Sequence, residues 1–349
     1  MGSVLADSAS RPPQYAHGDI IIPAAGADEA KRRFSTEAAF DYLESGAVAW
    51  SGQRQCVSCH TNGTYLLTAP SLVPSGGKAD EGMRRFFVEE LEHHELVPKK
   101  ELRAGLRPTE LAYIAAGLAQ WDQHVSKERS PETARALSLM FEAQGDDGSY
   151  GNLDCWPPLE SSRFHGATVA LMAAAAAPGW VESEGPEVEE KWDKLVAFLR
   201  KAKPANDYQR ALLLWAAARQ PDLLEERRKA ALTGMIRKHQ QPDGGWSMRH
   251  FASPESWGSG NRAEKLRAEA DFGSPASDGH MTGLAVVVLR ETGVPADDPA
   301  LQRAVQWLKT NQRASGRWWT RSLNTDKWHL ITYSGTAYPL LALSLCGEL

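Results

Sequence analysis

"QQPDGGWS" (residues 240–247) has two near-copies in the chain: "QGDDGSYG" (144–151) and "NQRASGRWW" (311–319), in which Gln312 starts the match. Each reads Gln-x-x-x-Gly-x-aromatic, and each follows an amphipathic stretch, "ARALSLMFEA", "ALTGMIRKH" and "AVQWLKT". A glycine past the end of a helix supplies a left-handed turn that a side chain resists. The aromatic two residues on is then placed to pack on the neighbouring unit. Helix, turn and aromatic form one repeated unit.

A second spelling follows each copy. Apolar helices begin in "HGATVALMAAAAA", "GHMTGLAVVVLRETG" and "YSGTAYPLLALSL", with Thr168, Thr282 and Thr336 in register. Thr168 stands 24 residues after Gln144, and Thr336 stands 24 after Gln312. "HTNGTYLLTAPSL" places Thr64 at the same point, "RPTELAYIAAGLAQW" places Thr109 there, and "NDYQRALLLWAAA" adds an apolar helix without the Thr. The count is six units, each an amphipathic helix followed by a uniformly apolar one, with units two (84–121) and four (190–218) the least distinct. A helix apolar on all sides must be buried on all sides. Six such helices ringed by six amphipathic ones predict an all-α fold, an α6/α6 toroid over residues 38–349, preceded by an N-terminal arm, 1–37. An open superhelix of helix pairs is the alternative.

Composition narrows the function classes. A chain of 349 residues with net charge -5 and no Lys/Arg block gives no reason to expect a nucleic-acid partner. The longest apolar run stops at Pro178, too short for a transmembrane segment. Twelve Trp residues suit a core or a pocket for something apolar and bulky. Four cysteines are too few and too unevenly spaced for a disulfide framework. "SVLADSA", near the start, has the small-residue character of the end of a secretory signal, so an exported, periplasmic protein is expected, or a cytoplasmic one if it carries no haem.

The Gln-x-x-x-Gly-x-Trp turn in a helical toroid resembles the repeat of squalene-hopene cyclases, related class II terpene cyclases, and protein prenyltransferase β subunits. The resemblance implies that Gln240, Trp246, Gln312 and Trp318 tie outer helices together and that the inner helices surround a central apolar cavity for an isoprenoid or other apolar small molecule. It also implies a proton donor at the middle Asp of an Asp-x-Asp-Asp motif. "SDGHMTGLAVVVL" occupies that place, with Asp278 at the first Asp, His280 at the donor and Met281 at the last Asp. Imidazolium, with a pKa of about 6.5, is a poor acid for an isolated alkene, so ordinary squalene cyclisation is not expected. The prenyltransferase zinc pattern finds only Asp154 and Cys155, adjacent rather than separated by one residue.

All inner helices of a toroid start at one end. That rim collects His60, His165, Asp278, His280 and Tyr333, with Asp278, His280 and His165 as candidate catalytic groups. "CVSCH" (56–60) is Cys-x-x-Cys-His. As a haem c site, Cys56 and Cys59 would take the vinyl groups and His60 the iron, with Met248, His280 or Met281 as the sixth ligand. Zinc or another transition metal can use Cys56, Cys59 and His60 with Cys155, His165 or His280. Structural or redox-active thiols are the third reading. The CxxCH motif together with three such turns resembles a group of bacterial, planctomycete-type cyclase-like proteins. The polar insert "SMRHFASPESWGSGNRAEKLRAEADFGSPAS" (247–277), carrying Arg249, His250 and Trp257, is placed to overhang the rim beside His280.

Three functions are therefore expected from the sequence. The first is an exported enzyme, cyclase- or oxidoreductase-like, using haem or metal on an apolar substrate. The second is a metal-independent acid/base cyclase or isomerase using Asp278 and His280. The third is a non-catalytic lipid-binding or electron-carrying protein.

Overall fold

The computed structural model describes residues 13–151, 157–159 and 163–349. Its outer helices are α1 (Thr36–Arg54), α3 (Glu81–Glu95), α5 (Pro131–Glu142), α8 (Pro186–Lys201), α10 (Glu226–Lys238) and α13 (Pro299–Asn311). Its inner helices are α2 (Asn62–Leu72), α4 (Arg107–Trp121), α6 (Arg163–Ala175), α9 (Asp207–Arg219), α12 (Gly279–Glu291) and α14 (Ser334–Leu345). Two short helices, α7 (Trp180–Glu184) and α11 (Ala263–Arg267), lie in the links.

The inner helices pack in the order α2–α4–α6–α9–α12–α14 and back to α2, while α14 also touches α1. This is a closed α6/α6 toroid rather than an open superhelix. The sequence pattern explains the layering. Every residue of α12 from Gly279 to Leu289 is buried, whereas α8 buries only Leu195, Val196 and Leu199 and α10 only Leu232 and Ile236. A one-sided stripe suits the outer ring and an all-round apolar helix the inner one.

The repeated turns fasten one unit to the next. Gln240 Nε2 donates to Gly244 O (2.8 Å) in its own turn and to Ala300 O (2.7 Å) at the start of α13. Gln144 reaches Lys191 O in α8 at 2.9 Å. Gln312 closes the ring: its Nε2 donates to Ser35 O at 2.8 Å, and its Oε1 accepts the Ser35 N–H at 2.7 Å. Ser35 is in turn the N-cap of α1. Trp246 and Trp318 send their indole N–H groups back to Ile236 O and Leu308 O, both at 2.8 Å. The register threonines do not cap helices. Thr282 and Thr336 instead accept the backbone N–H of Trp246 (2.9 Å) and Trp318 (3.2 Å), joining each inner helix to the preceding turn.

The arm folds as a hairpin, β1 (Tyr15–His17) antiparallel to β2 (Ile20–Ile22), packed on α1. Arg317, 3% exposed along its side chain, then holds the arm down. It pairs with Glu29 at 2.7 Å and donates to Pro23 O and Ala24 O, both at 2.9 Å. The insert is not a solvated excursion either. Met248, Phe251, Trp257 and Leu266 are buried, and the Trp257 ring lies 5.5 Å from that of Tyr208 on α9.

Candidate functional site

The starts of the inner helices converge, as the toroid requires, and their polar groups separate into three places. On the axis, Tyr113 of α4 meets His165 of α6 (Oη to Nε2, 2.9 Å), and Tyr208 of α9 meets His280 of α12 (Oη to Nε2, 3.1 Å). Ser334 lies 2.9 Å from His280 Nδ1 and gives its own hydroxyl proton to Ile331 O. The network therefore assigns the ring proton to Nδ1 and leaves Nε2 to accept from Tyr208. His280 is 0% exposed and His165 3%. Loss of hydration holds both imidazoles down to about 3, with His165 adding to the effect on His280. Both rings are neutral at pH 7 and enclosed. Tyr338 completes this layer, 5.2 Å edge-on to His280.

The Cys-x-x-Cys-His segment forms the turn into α2, as expected. Asn62 braces it: Oδ1 accepts the Ser58 N–H at 2.7 Å, while Nδ2 donates to Cys56 O and Ser51 Oγ at 3.0 Å. Trp50 Nε1 donates to the same Cys56 carbonyl, and the Trp50 ring stands edge-on to His60 at 4.8 Å. The two thiols have different surroundings. Cys56 is half-buried; burial and the carboxylates of Glu110 and Glu90 push its thiol up. Cys59 is buried and acts electrostatically on Tyr208 and Tyr338, across the ring. Half-buried His60 is held down to about 3 by lost hydration. Among the described residues no three His, Cys, Asp or Glu side chains come together to hold a metal. Asp154 and Cys155 lie outside the described residues.

The third place is a cavity. Asp278 caps α12, its Oδ1 accepting the Met281 N–H (2.8 Å) and its Oδ2 the Met248 N–H (2.7 Å). Burial pushes its carboxyl up to about 6, against the pull of these donors and of Arg249. Beside it opens a cavity of about 990 Å³, walled by the arm (24–28), the end of the insert (270–278) and the last link (319–329). Its walls combine charged side chains with apolar ones. Arg249 forks onto Glu269 at 2.5 and 2.7 Å, and Arg321 pairs with Asp271 at 3.2 Å and Asp326 at 3.5 Å. Arg313 donates through Nη1 to Glu29 O at 2.9 Å, but its Nε is buried with no hydrogen-bond partner among the described residues. Trp319 and His329 pack with ring centres 4.3 Å apart, and Trp328 stands 42% exposed. His329 Nδ1 accepts the Ser322 N–H at 3.0 Å, and burial holds the ring down to about 4, so it too is neutral at pH 7.

The resemblance implied an apolar central cavity. The described residues instead fill the axis with Tyr113, His165, Tyr208, His280 and Tyr338 and open a charged cavity at the rim. Of the residues expected to act together, Asp278 borders this cavity, while His165 and His280 lie on the axis. Arg313, Trp319, Lys327, Trp328 and His329 were not singled out by the sequence. For the last three the signal is "DKWH" (326–329), four chemistry-bearing residues in a link that a plain helix connection does not need.

No family model and no curated protein matches this chain. Among solved structures it is similar to a polysaccharide lyase, with a TM-score of 0.53 and 14% identity over 89% of this chain and 96% of that one. It is also similar to the type II terpene cyclase MstE from Scytonema, solved with geranylgeranyl dihydroxybenzoate, with a TM-score of 0.49 and 14% identity over 90% of this chain and 100% of that one. At such identity the likeness to the lyase is one of fold, and it agrees with the closed helical ring.

Proposed function

We propose that this chain is a toroid enzyme that carries out acid–base chemistry on a polar small molecule held in the rim cavity, with Asp278 as the group that carries the proton. The observation behind this reading is the position of Asp278, at the start of an inner helix and on the wall of a cavity large enough for a ligand. Two backbone N–H groups fix the carboxyl without using all its acceptor sites. A carboxyl that titrates near neutral pH can both give and take a proton. His329, neutral on the same cavity, is a second group able to accept one. Lys327, exposed at the cavity without an ion pair among the described residues, and Arg313, whose buried Nε has no partner there, favour a substrate with a polar or anionic group over the isoprenoid expected from the resemblance.

Exchange of substrate hydrogen provides the test. The protein is incubated in heavy water with a bacterial small-molecule extract, and deuterium incorporation or product formation is followed by mass spectrometry. Polar compounds should change with the wild type and stay unchanged with Asp278→Asn, which keeps an N-capping side chain. Equal conversion by the variant, or conversion of apolar compounds alone, would refute the reading.

A second reading places haem c or zinc on Cys56, Cys59 and His60, and with it export. It is favoured by the position of the motif on a turn leading into a helix, with His60 half-buried rather than enclosed. A covalent Soret band in protein passed through a c-type maturation pathway would establish it; reduced, alkylatable thiols in that protein would remove it.

A further inference from the structure

We infer that the rim cavity takes a ring-bearing organic anion, its ring lying on Trp328 and its anionic group held by Lys327 and Arg313. This rests on the reading of that cavity as the working site and names its ligand class.

The charges on the wall are unequal in their engagement. Asp271 and Asp326 are both paired with Arg321, Asp278 accepts two backbone N–H groups, and Asp28 lies where it acts on Arg313. Of the cations, Arg249 and Arg321 are paired with carboxylates, whereas two others are less fully engaged. Lys327 is exposed and makes no ion pair among the described residues, and Arg313 keeps a buried Nε without a hydrogen-bond partner. What the wall still has to give is N–H donation from positive groups, which suits a carboxylate or another oxyanion. The aromatic side points the same way. Trp319 is already packed on His329, but Trp328, next to Lys327 and 42% exposed, shows no ring partner among the described residues. A flat ring, whether the C–H face of a sugar or an aromatic plane, covers such an indole. At about 990 Å³ the cavity lies at the upper end of small-molecule sites, so a ring with substituents fits.

Sugar acids and aromatic acids share this chemistry, and binding measurements separate them. The full-length protein is titrated calorimetrically with galacturonate and 4-hydroxybenzoate, with galactose and phenol as their uncharged counterparts and farnesol as an apolar probe. At least one acid should bind with Kd below about 1 mM and at least about tenfold more tightly than its uncharged counterpart. Lys327→Ala should weaken that acid by about five- to tenfold and leave the neutral compound unchanged. Trp328→Ala should weaken both. Both residues are exposed, so these variants should fold, which circular dichroism checks. Asp278→Asn should still bind the acid, so loss of turnover with binding intact refutes neither this inference nor the role of Asp278. Equal affinity for acid and neutral counterpart, tighter binding of farnesol, or no acid binding at 1 mM would overturn the inference.

Discussion

Asp278 joins the fold to the site: one carboxyl caps an inner helix, anchors the insert through Met248 and borders the cavity. Its pKa is raised in the folded state, so the stability it contributes is present at low pH and is lost as pH rises through about 6. Between pH 5.5 and 8 that loss is about 1 kcal/mol. Asp278→Asn should therefore gain stability relative to wild type over that interval, as chemical denaturation at the two pH values would show. A constant difference would mean that the carboxyl titrates normally. The cysteines give a second check at this scale. Cys59 is 4% exposed and Cys56 has a raised thiol pKa, so alkylation at pH 8 followed by peptide mapping should label Cys56 slowly and Cys59 only after unfolding. Rapid labelling of Cys59 would show that the turn opens.

Helices and turns were the level at which the sequence could be read most directly. Gln144, Gln240 and Gln312 mark the turns because each must reach the backbone of the next outer helix, and the glycine four residues on must let that helix approach. Gly316 has φ +93, and a Cβ there would lie 2.0 Å from Ala38 O on α1. Gly293 has nearly the same φ, +92, with open space around it. Ala at Gly293 should cost about 1–2 kcal/mol from the left-handed backbone alone. Ala at Gly316 should cost clearly more and loosen the join between the last unit and the first. Equal losses in urea unfolding would show that the ring does not depend on that contact. What the sequence hid was side-chain direction. His280 follows Asp278 by two residues, yet about half a turn of helix sends it to the axis while Asp278 stays at the rim. Cys56 and Cys59 likewise differ in burial, one half-buried and the other buried. A motif records spacing along the chain, and the turn decides which groups meet. The cavity was hidden for a related reason, because its walls come from segments as far apart in sequence as the arm and the last link.

Across the whole molecule, buried neutral imidazoles set the acid limit, with His165 and His280 the most enclosed and His60 and His329 adding to them. His165 and His280 are held down to about 3, whereas an unfolded histidine titrates at about 6.5. Groups of this kind lose stability as pH falls below the unfolded value. At pH 5 each costs about 2 kcal/mol, against about 1 kcal/mol gained from Asp278, so the histidines win. The Tm should fall by roughly 4 °C or more between pH 7 and pH 5, and His280→Gln should make that fall smaller by roughly 3 °C. A pH-independent Tm would show that water reaches the axis. The closed ring, the filled axis and the charged cavity lead to one central claim: ligands bind at the rim, between arm, insert and last link. Soaking crystals of the protein with a mixed polar and apolar fragment library tests it most directly. The account predicts fragments gathered beside Asp278, Arg313 and Trp328, with the axis left closed. Fragments lodged among Cys59, Tyr208 and Tyr338 would contradict it.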